Sequence, residues 1–337
     1  MIVEGTVLRG PEFDPVRGRV VAEDGEIVAV EEADVYSDDI VIPAFVNAHT
    51  HIGDSIAKEA GAGLPLDELV APPDGLKHQL LRAASREETV EAMRRSLRMM
   101  VDTGTAACLE FREGDVEGVE YIREAVEELP IEPVVLGRES EAAMQASDGF
   151  GASGARDGDF DRLRNATREA GKLFGIHAGE RDPHDINAAL DLAPDFVVHM
   201  VHPESIHYER LADNDIPVVV CPRSNLVTDV GVPPIRELIE RTTVALGTDN
   251  VMLNSPSMFR EMEFAAKLAD VPAREVLKMA TANGAEIAGL NCGVIEPGRD
   301  AKLLVLDGDS DNLGGAQDVV RAVVRRAGAS DVKDVLL

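Results

Sequence analysis

The stretch Ile42-Pro43-Ala44-Phe45-Val46-Asn47-Ala48-His49-Thr50-His51-Ile52-Gly53-Asp54 decides the fold. Its apolar run, rich in β-branched residues, reads as a buried strand, and along a strand residues i and i+2 face the same way. His49 and His51 therefore aim two imidazoles at one point. Such a pair is half of a metal site or simply two polar residues at a strand end, and the pair alone does not choose between them.

Outward from this strand, short apolar runs alternate with helical stretches, the pattern of β-α units and a parallel sheet. Further strands are read at Thr105 to Phe111, Glu132 to Leu136, Gly149 to Ser153, Leu173 to His177, Asp195 to His199, Ile216 to Cys221 and Thr243 to Leu246. With the first strand they make eight. That number predicts an α/β fold of the (β/α)8 (TIM) barrel type, in which catalytic groups sit at the C-terminal ends of the strands. A helix is expected from Arg86 to Asp102, opened by a capping box of Ser85 and Glu88. Before it lies a long segment, Ser55 to Ser85, with Pro72-Pro73-Asp74-Gly75 in its middle. Segments of that kind are functional lids or are disordered.

The ends of the chain read differently. Residues 1–40 hold short alternating segments (Ile2-Val3, Arg19-Val20-Val21, Glu26 to Val30), a β-meander too small to bury a core alone. Gly293 to Leu306 and Val319 to Val324 look like further short strands. The expectation is a small β-sandwich built from residues 1–40 and 290–337, beside a barrel of residues 41–289.

The 337 residues are enough for one barrel-type domain or two ordinary ones, and 45% hydrophobic content marks a globular chain. No apolar run approaches the roughly 18–20 residues of a membrane span, and Met1 to Gly5 lacks the features of a secretory signal. The reading is cytoplasmic. Cys108, Cys221 and Cys292 are odd in number and far apart, which argues against a disulfide framework.

The strand ends carry the chemistry. The fifth ends in Gly175-Ile176-His177-Ala178-Gly179-Glu180, the sixth in Val197-Val198-His199 and the eighth in Leu246-Gly247-Thr248-Asp249. A lone imidazole or carboxylate where an apolar run stops is more often a loop cap. Four ends of one barrel doing so is different, because the fold converges those ends on one cavity, and metal binding becomes the expectation.

The set His49-Thr50-His51, His177-Ala178-Gly179-Glu180, His199 and Asp249 resembles the amidohydrolase superfamily. The nearest branch is its mononuclear deaminases and chlorohydrolases, which include cytosine, guanine and S-adenosylhomocysteine deaminases and triazine hydrolases. The resemblance extends through Cys221-Pro222-Arg223-Ser224-Asn225 and Gly247-Thr248-Asp249 and covers most of the chain. It implies that His49, His51, His177 and Asp249 hold one divalent ion, zinc before iron, manganese or nickel. It also implies that Glu180, His199 and Asp249 move protons while metal-generated hydroxide attacks a ring carbon. His202 is an alternative to His199. The related dinuclear branch needs a carbamylated lysine on the fourth strand, and Gly149 to Gly154 contains none.

The expected substrate is a small amino-substituted nitrogen heterocycle. Hydrolysis of a cyclic amide, displacement of another ring substituent and a barrel without chemistry are the alternatives. Arg112 and Arg138 end the second and third strands and are candidate clamps for a substrate carboxylate or phosphate; pairing with neighbouring glutamates is the bland reading. Asn225 is a further substrate contact by resemblance, and dimers are common in the family. His78, His184 and His207 read as surface or lid residues, and Cys221 as a small buried hydrophobe.

Charge is the unusual feature: 62 acidic residues face 33 basic ones, for a net charge of -29, and only 7 of the basic residues are lysine. Such a surface repels nucleic acid and anionic membrane, and repels itself at low ionic strength. It suits a salt-rich cytoplasm, where a Debye length of about 3 Å at 1 M salt removes the repulsion. Thermal melting is expected to shift upward from dilute buffer to molar salt; equal melting temperatures in both would overturn this reading.

Overall fold

Two sheets share one extended run of chain in this computed structural model, which describes residues 1–71 and 73–337. Pro72, in the expected long segment, lies outside the described residues. Ile2–Arg9 (β1), Asp14–Glu23 (β2) and Glu26–Glu32 (β3) form the expected antiparallel meander. Ile40–Pro43 (β4) pairs parallel with β1. Only Ala44 separates β4 from Phe45–His51 (β5), so the same run leaves the terminal sheet and enters the central one. Every residue of β5 is buried, as a strand covered on both faces requires.

The central sheet continues through Thr105–Arg112 (β6), Glu132–Gly137 (β7), Gly149–Ala152 (β8), Leu173–Ala178 (β9), Phe196–His199 (β10), Val218–Val220 (β11) and Val244–Leu246 (β12). All pair in parallel with their neighbours. Asp249–Asn250 (β13) follows β12 after only Gly247 and Thr248, yet pairs with β5. The nine strands thus run β12-β11-β10-β9-β8-β7-β6-β5-β13, and the two outermost are consecutive in the chain. The sheet is curled, and its edges return to one another at Gly247.

That return depends on two local features. A Cβ on residue 247 would lie 2.7 Å from the Cβ of His49 and 2.9 Å from its backbone nitrogen, so only glycine lets the edges approach. Beside it, fully buried Asn47 donates to Thr248 Oγ1 at 2.7 Å and accepts from the Thr248 N–H at 3.0 Å.

Helices cover the sheet. Arg86–Asp102 begins with the expected capping box: the Glu88 N–H donates to Ser85 Oγ and the Ser85 N–H to Glu88 Oε2. Its Val90, Met93, Leu97 and Met100 recur at helical spacing and are buried. The segment from Ser55 to Ser85 is not a bare loop; it carries a 3-10 turn, Ile52–Ala57, and short helices Leu66–Val70 and Leu76–Ala83.

The two ends combine, into one six-stranded sheet ordered β15-β14-β4-β1-β2-β3, where Leu303–Leu306 is β14 and Val332–Leu336 is β15. Only Leu303–Leu306 of the run from Gly293 is a strand. The expected strand at Val319 to Val324 is instead a helix, Val319–Arg325. Asp318 caps it, accepting from the Arg321 N–H at 2.9 Å, and Val320, Val323 and Val324 are buried. Their i, i+3, i+4 spacing is that of one helix face, and packing outweighs the strand propensity of valine.

Replacing Gly247 by alanine is expected to cost about 1–3 kcal/mol, because the added methyl meets His49 backbone that cannot yield. Gly328→Ala, which meets nothing within 4 Å, is the control. Chemical denaturation checks both, and a Gly247→Ala protein as stable as the parent would contradict the packing described.

Candidate metal centre and cavity

His49 and His51 project from the same face of β5, their rings edge to face with centroids 4.9 Å apart. His177, at the end of β9, completes a cluster: its Nε2 lies 3.3 Å from His49 Nε2 and 3.4 Å from His51 Nε2. Asp249 Oδ1 is 3.3 Å from His49 Nε2 and 3.6 Å from His51 Nε2. Four atoms each about 2.0–2.1 Å from a tetrahedral ion would lie about 3.3 Å from one another. Those four separations, 3.3–3.6 Å, are of that size.

The tautomers suit such an ion too. His51 Nδ1 faces two acceptors, Phe111 O at 3.1 Å and Glu113 Oε1 at 3.0 Å, and His177 Nδ1 faces Ala152 O at 2.8 Å. Each Nδ1 thus carries the ring proton, and both Nε2 atoms turn lone pairs toward each other and toward a carboxylate. Burial lowers the pKa of His49 and His177 and takes that of His51 to about 3, which favours the neutral form of all three imidazoles. Burial alone would raise Asp249, and the His49 hydrogen bond pulls the carboxyl the other way, below its usual range. Its Oδ2 accepts from Ser224 Oγ at 2.5 Å and its Oδ1 from Asn250 Nδ2 at 2.9 Å.

His199, the last residue of β10, and Glu180, just past β9, stand beside this group, with His199 Nε2 3.6 Å from Glu180 Oε2. Donor atoms of Glu180, His199 and Asp249 lie within 4.8 Å of one another. Buried Asn225 sits against both, its Nδ2 3.1 Å from His199 Nδ1 and 3.5 Å from Glu180 Oε1. Burial raises the pKa of Glu180. The backbone bends sharply at two of these positions, φ being 79° at His199 and 59° at Asp249. Left-handed backbone on residues with a Cβ costs roughly 1–3 kcal/mol and clusters at functional sites.

The cluster lies on a cavity whose wall includes His51, His177, Glu180, His199 and Asp249. Leu66, Val70 and Ala71, from the segment after β5, form another part of the wall, with Lys77, His78 and Arg138. The two candidate clamps separate here. Arg138 reaches the cavity, with Nη1 3.0 Å from Glu113 Oε1. Arg112 does not: it is buried 3.6 Å from Glu110 Oε1, its guanidinium packed on Gly53 so closely that a Cβ there would overlap it. Glu110 in turn accepts from Thr50 Oγ1 and the Ile52 N–H, so this pair holds the end of β5.

Among the other histidines, His78 borders the cavity, His202 is outside its wall, and His184 is exposed beside Asp182. His207, expected at the surface, is buried, accepting the Glu204 N–H where its helix begins. Cys221 is fully buried, and burial pushes its thiol well up, as befits a small hydrophobe. The sequence reading passed over Lys77, Glu113, Ser224 and Asn250, which hydrogen-bond the cluster or its partners. Of these, Ser224 stood in the quoted run ending at Asn225, and Glu113 next to Arg112, but neither position alone signals a partner on another strand.

Comparison with known proteins agrees with this architecture. The amidohydrolase family model matches residues 40–181 and 165–336. A putative aminohydrolase of Methanothermobacter thermautotrophicus is 37% identical over 91% of each chain. A 5-methylthioadenosine/S-adenosylhomocysteine deaminase of Haloarcula marismortui is 28% identical over 99% of this chain and 90% of its own. In fold, the chain is similar to a zinc-bound adenosine deaminase from Xanthomonas campestris, with a TM-score of 0.80 at 19% identity, over 100% of this chain and 91% of that one. With a buried His and Asp group able to hold a metal at the strand ends of a curled parallel sheet, the chain belongs to the amidohydrolase family.

Proposed function

We propose that the chain is a metal-dependent hydrolase that deaminates an amino-substituted nitrogen heterocycle: a purine, pyrimidine, pterin or related ring. The observation that carries this is the meeting of three imidazole nitrogens and the Asp249 carboxylate beside Glu180 and His199 on one cavity. The deaminase relative supports it. Residues 41–289 then form the (β/α)8 barrel, and residues 1–40 and 290–337 the smaller β unit. We keep a salt-rich cytoplasm as the reading of the charge.

His49, His51, His177 and Asp249 would hold one divalent ion, zinc by preference, although iron, manganese and nickel suit the same donors. When bound, it supplies Lewis-acid chemistry that brings the pKa of water toward about 7, so that hydroxide is available at neutral pH. Asp249 accepts the proton that the attacking water gives up and passes it to the amino group. Glu180, whose protonated form burial favours, delivers its proton to the ring nitrogen beside the carbon under attack. The bond from the amino group to the ring carbon breaks so that ammonia leaves, and the proton left on the new oxygen restores Glu180. Asn225 donates to His199 Nδ1, which leaves the His199 proton on Nε2, aimed at the cavity, where it hydrogen-bonds the oxygen that gains charge. Arg138 is the contact for an anionic substituent on the ring; Arg112 supports β5.

The test is ammonia release from a panel of aminated heterocycles, with the metal content of the same preparation. We expect about one divalent ion per chain and release from at least one ring. Glu180→Gln should lower kcat by about 10²–10⁴-fold while keeping the metal. Because burial raises Glu180 and the protonated form is the active one, kcat/KM should fall as pH climbs past a pKa above the ordinary carboxylate range. That limb should vanish in Glu180→Gln. A protein without stoichiometric metal would overturn the metal centre, and a loaded protein inert toward the whole panel would overturn deamination.

A further inference from the structure

The segment that walls the cavity is tied down by one buried cation. Lys77, on the short helix Leu76–Ala83, is 2% exposed although its segment lies at the edge of the fold. Its Nζ donates to Asn250 Oδ1 at 2.9 Å and lies 2.7 Å from Glu113 Oε1, with Asp54 Oδ2 at 4.0 Å. Two of these partners each touch a different residue of the metal group. Glu113 Oε1 is 3.0 Å from His51 Nδ1, and Asn250 Nδ2 donates to Asp249 Oδ1 at 2.9 Å. Lys77 is therefore one contact away from two of the four expected ligands, His51 on β5 and Asp249 on the paired strand β13.

The other charged tie of this segment differs in kind. Asp67, on helix Leu66–Val70, pairs with Arg181, but both side chains are about half exposed. A pair of that sort contributes at most about 1 kcal/mol and is weakened by salt. The apolar support is also small, with Leu69 buried against Ala57, Met252 and Leu253. An ammonium withdrawn from water needs its acceptors, and here those acceptors are the groups that orient His51 and Asp249.

We propose that Lys77 is a positioning residue that couples closure of the segment's helices, Leu66–Val70 and Leu76–Ala83, over the cavity to the arrangement of His51 and Asp249 around the metal. The inference rests on the metal-centred reading above. By linkage the effect runs both ways: metal favours the closed segment, and the closed segment favours metal.

Zinc titration against a chromophoric chelator, the visible spectrum of the cobalt(II)-loaded protein and hydrogen exchange of these two helices test it together. In the parent protein zinc should slow exchange in this segment. Lys77→Met should weaken zinc binding by about 10–100-fold, the usual cost of losing an outer partner of a ligand. It should also alter the cobalt spectrum and remove most of the zinc-dependent protection. Lys77→Arg, which keeps the charge, should recover part of the affinity, and Lys58→Met, at an exposed site, none of these changes. If Lys77→Met does not fold, Glu113→Gln, which breaks the same link from the other side, must shift affinity and spectrum in the same direction. A Lys77→Met or Glu113→Gln protein with parental zinc affinity and cobalt spectrum would overturn the coupling while leaving the metal centre standing. So would a parent protein that binds zinc with no change in exchange of the segment. A parent protein that binds no zinc would overturn the metal centre itself.

Discussion

Imidazole lone pairs turned toward one another and toward a carboxylate form a donor set suited to a cation, and the centre of this protein is built from such an arrangement. Hydrogen bonds from Nδ1 to Phe111, Glu113 and Ala152 leave the Nε2 atoms of His51 and His177 unprotonated and 3.4 Å apart, with Asp249 Oδ1 3.6 Å from that of His51. Keeping these groups so close takes rigidity, and the surrounding structure supplies it. It does so with backbone: β5 and β9 are fixed by parallel pairing, Asn47 clasps Thr248, and Gly247 allows the outer strand to press against His49. The curled sheet is the frame that imposes this proximity.

How much of this is legible in the sequence follows from the range of each interaction. Period-two spacing in a buried strand is local, so His49 and His51 are readable, and an apolar run that stops at His177, His199 or Asp249 marks a strand end without knowledge of its neighbours. Which strand ends meet is also readable once the β-α alternation implies a closed order. Partners are another matter. Lys77 and Asn250 are 173 positions apart and Asn47 and Thr248 are 201 apart, and no local pattern pairs them. Arg112 and Arg138 look alike in the sequence, each at a strand end beside a glutamate, but one supports β5 and the other lines the cavity. The difference lies in Gly53, whose missing side chain makes room for the Arg112 guanidinium. Valine-rich Val319 to Val324 misleads for the opposite reason: its local propensity is for strand, and the helix is settled by which side chains the core can accept.

The few cations of this acidic chain fall into two populations with different physics. Many arginines stand at the surface in exposed pairs such as Arg86 with Glu124 and Arg95 with Glu91. Other cations are buried against carboxylates: Arg112 with Glu110, Arg223 with Glu261, and Lys77 with Glu113 and, farther off, Asp54. The first kind is screened by salt and contributes little. The second is shielded from solvent ions, and removing one partner strands the other charge inside the protein.

A net charge of -29 makes this division consequential. Surface repulsion changes with ionic strength, so the stability of the whole molecule varies with its medium, whereas the buried pairs that orient the site keep nearly the same strength in dilute and concentrated salt. The geometry of the centre is in this way insulated from the large electrostatic swings of the shell around it. Using one of only seven lysines at the cavity, where its ammonium has Glu113 and Asn250 as acceptors, places a compact cation where screening cannot reach it. The exposed acidic surface can then answer to salt without disturbing the distances on which the chemistry depends.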